Sequence, residues 1–163
     1  MTASTIEPSV AVVGIGNLLL ADEGLGVDAV RELAGSAASA GVKFIDGGTD
    51  PWAAFREAEG CRALLVLDAV QGGKAPGDFH SLPLEEVETR GAIMSLHGVT
   101  MYHLLHFEAL LGNTFEEVRV LGMEPGRVRP EIGLSEPCKD RMQEFAALAA
   151  GEIDGMLKRL SAS

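Results

Sequence analysis

Residues Val10–Val27 read VAVVGIGNLLLADEGLGV, and this stretch decides the fold class. Val10 to Val13 is a run of β-branched and small apolar residues that ends at Gly14, the pattern of a buried strand. From Gly24 to Leu33 the periodicity changes: Leu25, Ala29, Val30 and Leu33 recur at helical spacing. A strand thus passes through a Gly-marked corner into a helix, the repeating unit of an α/β domain. Gly14 and Gly16 could open a GxGxxG dinucleotide fingerprint, but the third position is Leu19. The helix also begins too late to bring its N-terminus to a pyrophosphate. Asp22 and Glu23 stand where the helix starts, and the helix dipole favours acids there. Asp22 as a cap and Glu23 as a first-turn acid account for both without any function. A functional reading stands beside that one.

Outward from this stretch the alternation continues. Val42 to Ile45 is a second short strand, closed by Asp46, Gly47 and Gly48, and Pro51 to Ala58 can form a helix with Pro in its first turn. Ala63 to Leu67 is an unbroken apolar run ending at Asp68, as expected of a central strand covered on both faces. Asp78 to Leu82 reads as an edge strand stopped by Pro83. Thr100 to Leu111 reads as a helix that buries Leu104, Leu105 and Leu111. Val118 to Leu121 is the last strand. Ser135 is placed to N-cap a final helix, with Pro137 just inside it. That helix continues to about Leu160, offering Phe145, Leu148, Ile153 and Leu157 to a core. No repeat or low-complexity linker interrupts the series. Residues 1–163 are expected to form one domain, with residues 1–8 a flexible N-terminus.

The chain of 163 residues carries 24 acidic and 13 basic side chains, a formal net charge of −11. That balance opposes binding to phosphate backbones and argues against a nucleic-acid partner. Cys61 and Cys138 form neither a CxxC pair nor a disulfide framework, which fits a reducing compartment. The opening MTASTIEPSV has no basic or apolar region of a signal peptide, and no apolar run is long enough to cross a bilayer. A cytoplasmic protein without membrane contact is expected.

Three candidate parallel strands end in polar or glycine-marked corners, at Gly14, Asp46 and Asp68. Ligands of open α/β sheets bind outside the carboxyl ends of the strands. Asp68 is either a polar strand terminus or a site residue, and it gains weight if Glu23 lies on the loop of the neighbouring strand. Two carboxylates and an imidazole would suit a divalent metal with open positions. The imidazole candidates lie in SLHGVTMYHLLHF, residues 95–107: His97 before the helix, and His103 and His106 on its surface. The last two read as ordinary helix surface, and His80 has no assigned role. In DGGTDPW, residues 46–52, Gly47 and Gly48 free the backbone to line a cleft, Thr49 and Asp50 can cap a helix, and Trp52 can wall a bound peptide. GxSxG and HExxH are absent, and Cys138 has no local base, so covalent catalysis has no support.

Taken in order, GIGNLLLADEGLGV, FIDGGTD, LLVLDAVQGGKAPG, SLHG and GMEPGRVRPEIGLS resemble the hydrogenase maturation endopeptidases. The resemblance runs from about Val10 to the final helix. It implies a three-layer α/β sandwich, with a mostly parallel twisted sheet and helices on both faces. It also implies an endopeptidase that removes the C-terminal extension of a nickel hydrogenase large-subunit precursor after nickel insertion. The family's metal-contacting and catalytic positions fall on Glu23, Asp68 and His97, and its substrate-handling segment on Asp46, Gly47, Gly48 and Thr49. The nickel would be carried by the substrate, with little or no intrinsic metal in the free protein, which is expected to be a monomer. The alternative is a non-proteolytic nickel-binding chaperone or checkpoint factor in hydrogenase assembly. A metal-dependent hydrolase of broad specificity is a third reading.

Overall fold

The computed structural model describes residues 7–36, 40–89, 93–94 and 101–163. Its elements, in chain order, are β1 (Val10–Ile15), α1 (Leu25–Ser36), β2 (Val42–Gly48), α2 (Pro51–Glu57), β3 (Ala63–Gln71), β4 (Phe79–Pro83), α3 (Leu84–Thr89), β5 (Ile93–Met94), α4 (Met101–Leu110), β6 (Glu117–Met123) and α5 (Glu136–Ser161). The strands lie in the order β2-β1-β3-β6-β4, with β5 paired to the end of β3. β2, β1, β3 and β6 are parallel, and β4 closes one edge antiparallel to β6.

The three layers follow from alternation along the strands. Val10 and Val12 of β1, and Leu65 and Leu67 of β3, face α1 and α5, where they meet Leu25, Val30, Phe145, Ile153 and Met156. The intervening Ala11, Val13, Leu64 and Val66 face the other way, against Phe55 of α2 and Leu104 and Leu105 of α4. Both faces of β1 and β3 are therefore covered, which is why their sequences are continuously apolar. Cys138 belongs to the first layer of core and Cys61 to the second, so the sheet separates the two free thiols.

The expected elements are present with small changes of extent. β1 runs on to Ile15 and β3 to Gln71, so Asp68 lies within β3 and not at its end. The expected edge strand is β4, and it includes Pro83. Leu111, expected to be buried, is 57% exposed because α4 ends at Leu110. Leu148 is also exposed, since α5 packs by the row Phe145, Ala149, Ile153, Met156 and Leu148 falls outside it. Ser135 does precede α5, but its side chain makes no cap hydrogen bond. Of residues 1–8, expected to be a flexible terminus, residues 1–6 lie outside the described residues; the next residue, Ser9, donates its amide to the Gly41 carbonyl at 2.8 Å.

One close approach sets the geometry of the sheet's carboxyl edge. A methyl group on Gly26, in the first turn of α1, would collide with the carbonyl oxygens of Leu67 and Ile15. The start of α1 is thus pressed onto the ends of both β1 and β3. Gly35, in the same helix, has nothing nearby. Gly26→Ala is expected to destabilise the fold by about 3 kcal/mol through overpacking, whereas Gly35→Ala stabilises it by about 0.5 kcal/mol through helix propensity. Thermal denaturation of the two variants measures both, and equal shifts would refute the close packing at Gly26.

Candidate functional site

The corner after β1 is built from backbone contacts that only glycine permits. At Gly16 φ is 147°, and a side chain there would strike the carbonyl group of Glu23. The Gly16 amide donates to the Gly48 carbonyl at 2.8 Å, and the Asn17 amide donates to the Glu23 carbonyl at 3.2 Å. These two bonds place the end of β2 and the turn carrying Glu23 on either side of Gly16. Ala21 then adopts φ 52°, the one positive value of a non-glycine residue among the described residues. That conformation costs about 1–2 kcal/mol, and the bond from the Ala21 amide to the Glu131 carbonyl, 2.8 Å, helps to hold it.

Glu23 is half-buried in the 3₁₀ turn Ala21–Gly24, and its Oε2 is buried without a hydrogen-bond partner among the described residues. A buried carboxylate oxygen left without a donor is costly, and a cation would relieve the cost. Glu23 precedes Gly26 by less than one helical turn, and Asp68 directly follows the Leu67 carbonyl on which Gly26 rests. The two acids therefore flank the same contact between α1 and β3. Asp68 is fully buried, with its Oδ1 accepting the Ala69 amide at 2.8 Å. By the alternation of β3 it belongs to the face covered by α2 and α4. His97 lies outside the described residues. The pairs Gln71–Ile93 and Val70–Met94 are antiparallel, so β5 runs back along β3 in the direction of Asp68. Among the described residues no three His, Cys, Asp or Glu side chains form a metal-holding group.

The segment Asp46–Thr49 divides by residue. Asp46 receives the guanidinium of Arg31, with Nε at 2.8 Å and a terminal nitrogen at 2.7 Å. Gly47 packs so closely that a side chain would meet Ile15 and Ala54, whereas Gly48 lies beside Gly16 and Thr49 is exposed. Asp50, not Thr49, caps α2, accepting the Ala53 amide at 3.0 Å. Trp52 packs edge-on against Phe107 at 5.6 Å, and both rings are partly exposed. His103 and His106 are exposed on α4. Burial pushes the thiols of Cys61 and Cys138 above their ordinary value, so neither is a ready nucleophile.

Two further carboxylates and one histidine organise this edge, and sequence reasoning missed all three roles. Asp22 is fully buried and does not cap α1. Its Oδ2 accepts the amides of Gly126 at 2.8 Å and Arg127 at 2.7 Å and the Ser135 hydroxyl at 2.6 Å, and its Oδ1 accepts the Ser135 amide at 2.7 Å. Burial pushes the Asp22 carboxyl up, but these four donors outweigh it and hold the group below the usual aspartate value. Glu124, just past β6, accepts the Gly72 amide at 2.9 Å, the Gly73 amide at 3.3 Å and His80 Nε2 at 2.7 Å. The segment 124–135 is thereby stapled at one end to the turn after β3 and along its length to the residue beside Glu23. Gln71, Gly73, Glu124, Pro125, Gly126, Arg127 and Val128 line an open pocket of about 400 Å³ there. The available signal was the segment GMEPGRVRPEIGLS itself, a long irregular connection whose backbone groups must find partners.

Burial also pushes the Glu124 carboxyl up, and its bonds from Gly72, His80, Lys74 and Gly73 more than compensate, leaving it below the usual glutamate value. A folded-state value below the unfolded one gives stability that is present above the unfolded value and lost as the pH falls through the folded value. Glu124→Gln is therefore expected to melt below wild type at pH 7, with the gap narrowing below about pH 4. Melting curves across that range test it, and a gap that widens in acid would contradict the assignment.

The profile of the HycI family, described as hydrogenase maturation protease, matches residues 27–152. HupM of Azotobacter chroococcum mcd 1, a hydrogenase expression/formation protein, is 35% identical, covering 91% of this chain and 72% of that protein. HupD of Thiocapsa roseopersicina is 36% identical over 77% of this chain, and the matched region spans 62% of its length. The hydrogenase 2 maturation protease of Escherichia coli K12 is 30% identical, with 84% and 85% covered. Among solved structures, the hydrogenase maturating endopeptidase HybD of E. coli superposes with a TM-score of 0.78 at 23% identity, over 90% of this chain and 93% of that one. HybD of Thermococcus kodakarensis gives 0.73 at 22% identity, with 87% and 97% covered. These structures share the fold.

Proposed function

The chain belongs to the hydrogenase maturation protease family, and from that premise we propose that it is the endopeptidase that trims a hydrogenase large-subunit precursor at its C-terminal extension. In this reading Glu23, Asp68 and His97 contact nickel already held by the precursor, and no resident metal is needed. The observation that carries it is the Oε2 of Glu23, buried and without a partner among the described residues, on the turn that packs against β3, the strand that bears the fully buried Asp68. An acid with no protein donor beside a second buried acid is a poor structural pair and a good half-site for a divalent cation.

Two carboxylates and an imidazole leave positions on such an ion for the substrate's own ligands. The ion in turn can polarise the scissile carbonyl or acidify a water. The protein's share is to hold the two acids rigid, which the strand β3 and the packed turn at Gly26 do. Asp46, Gly47, Gly48 and Thr49, at the end of β2 beside Gly16, are the proposed wall for an extended substrate peptide. In this reading the protein acts as a monomer on a precursor in the cytoplasm. Among the described residues no helix is long and apolar enough to cross a membrane.

The test is mass spectrometry of nickel-loaded precursor incubated with wild type and with Glu23→Gln, Asp68→Asn and His97→Ala. Wild type is expected to shorten the large subunit, and each variant to lose about a hundredfold or more in rate while keeping its far-ultraviolet circular dichroism. Full activity in all three would overturn the site. A precursor that wild type binds but leaves intact would favour a non-proteolytic nickel-binding chaperone.

A further inference from the structure

The cavity between Gln71, Gly73 and Glu124–Val128 lies at the carboxyl ends of β3 and β6, on the strand that carries Asp68. Both of its walls are fixed before any ligand arrives. Asp22 holds the backbone amides of Gly126 and Arg127, and Glu124 holds those of Gly72 and Gly73. We propose that this cavity is a carboxylate-binding subsite for the precursor peptide, with Arg127 as its specificity-determining residue. The proposal rests on the protease reading above.

Charge is the first argument. Glu124 lines the cavity, but its oxygens are occupied by two amides and by His80. Arg127 and Arg129 share a single carboxylate, each reaching Glu131 at 2.7 Å. Two guanidiniums thus converge on one acid, so that one of them can leave Glu131 for a ligand's carboxylate while the other keeps it. Lys74 adds a further ammonium on the facing turn, where it donates to the Phe79 carbonyl.

The second argument is the state of Arg127 itself. A guanidinium has five N–H donors in a planar fork. Here a terminal nitrogen bonds Glu131, while Nε has no partner among the described residues. The side chain is 34% exposed, and its backbone is pinned on both sides, the amide to Asp22 Oδ2 and the carbonyl to the Asp22 amide at 3.0 Å. A rotation of the side chain alone would present the fork to a ligand, and Glu131 would keep Arg129. Paired N–H donors match a carboxylate in a way a lysine cannot. Val128 beside it is 44% exposed and offers an apolar contact to the neighbouring residue of the peptide.

Steady-state cleavage of the nickel-loaded precursor tests this with Arg127→Gln and Arg127→Lys. KM is expected to rise about tenfold or more in Arg127→Gln, and less in Arg127→Lys, with kcat within about twofold of wild type. Two altered precursors then locate the carboxylate. In one, the acidic residues of the extension become Asn and Gln; the other ends in a carboxamide. The form that wild type and Arg127→Gln handle alike identifies the source. An unchanged KM in Arg127→Gln, or discrimination that survives in both altered precursors, would overturn the subsite. Failure of wild type to cleave any precursor would instead overturn the protease reading beneath it.

Discussion

The Asp22 carboxylate is the constraint on which the carboxyl edge of the sheet depends. Its four short hydrogen bonds join Gly126, Arg127 and Ser135 to the residue directly before Glu23. Each bond carries the strength of an ionised acceptor, and the carboxylate that accepts them is fully buried. Without them the segment between β6 and α5 would have several backbone amides to satisfy and no sheet or helix to satisfy them. With them, an irregular connection becomes a rigid wall, and the turn bearing Glu23 is held from outside as firmly as Gly26 holds it from within. The strain at Ala21 is sustained by the same arrangement.

This division of labour separates the acids by environment. Asp22 and Glu124 are saturated with donors and held ionised, so they are structural. Glu23 has an oxygen with no partner among the described residues, so it is the one acid of the turn whose placement they do not explain. Adjacent residues of the same charge thus sit in opposite environments, and the hydrogen-bond count tells them apart where residue type does not.

Much of the fold was legible because two-sided burial writes itself into sequence. β1, and β3 as far as Leu67, are continuously apolar, since α1 and α5 cover one face and α2 and α4 the other. Glu23 and Asp68 stood out as acids that follow such apolar runs, although Asp68, expected at the end of its strand, lies within β3. Asp22, Glu124 and His80 did not stand out, because their partners lie far along the chain: Asp22 from Gly126 and Ser135, Glu124 from Gly72. Asp22 looked like a helix cap because a buried staple and a cap present the same residue at the same place. Ser135 shows the converse, since it stands at a cap position but donates its hydroxyl to Asp22. Leu111 and Leu148 were misplaced because apolar character alone does not say which row of a helix meets the sheet.

The central claim is that Glu23 and Asp68 face one ion. The most direct measurement is a crystal structure of the protein soaked with nickel, with the anomalous signal collected at the metal's absorption edge. The account predicts one peak about 2 Å from a Glu23 Oε, an Asp68 Oδ and a His97 nitrogen. A peak bound elsewhere, or Glu23 and Asp68 carboxylates too far apart to share it, would contradict the account.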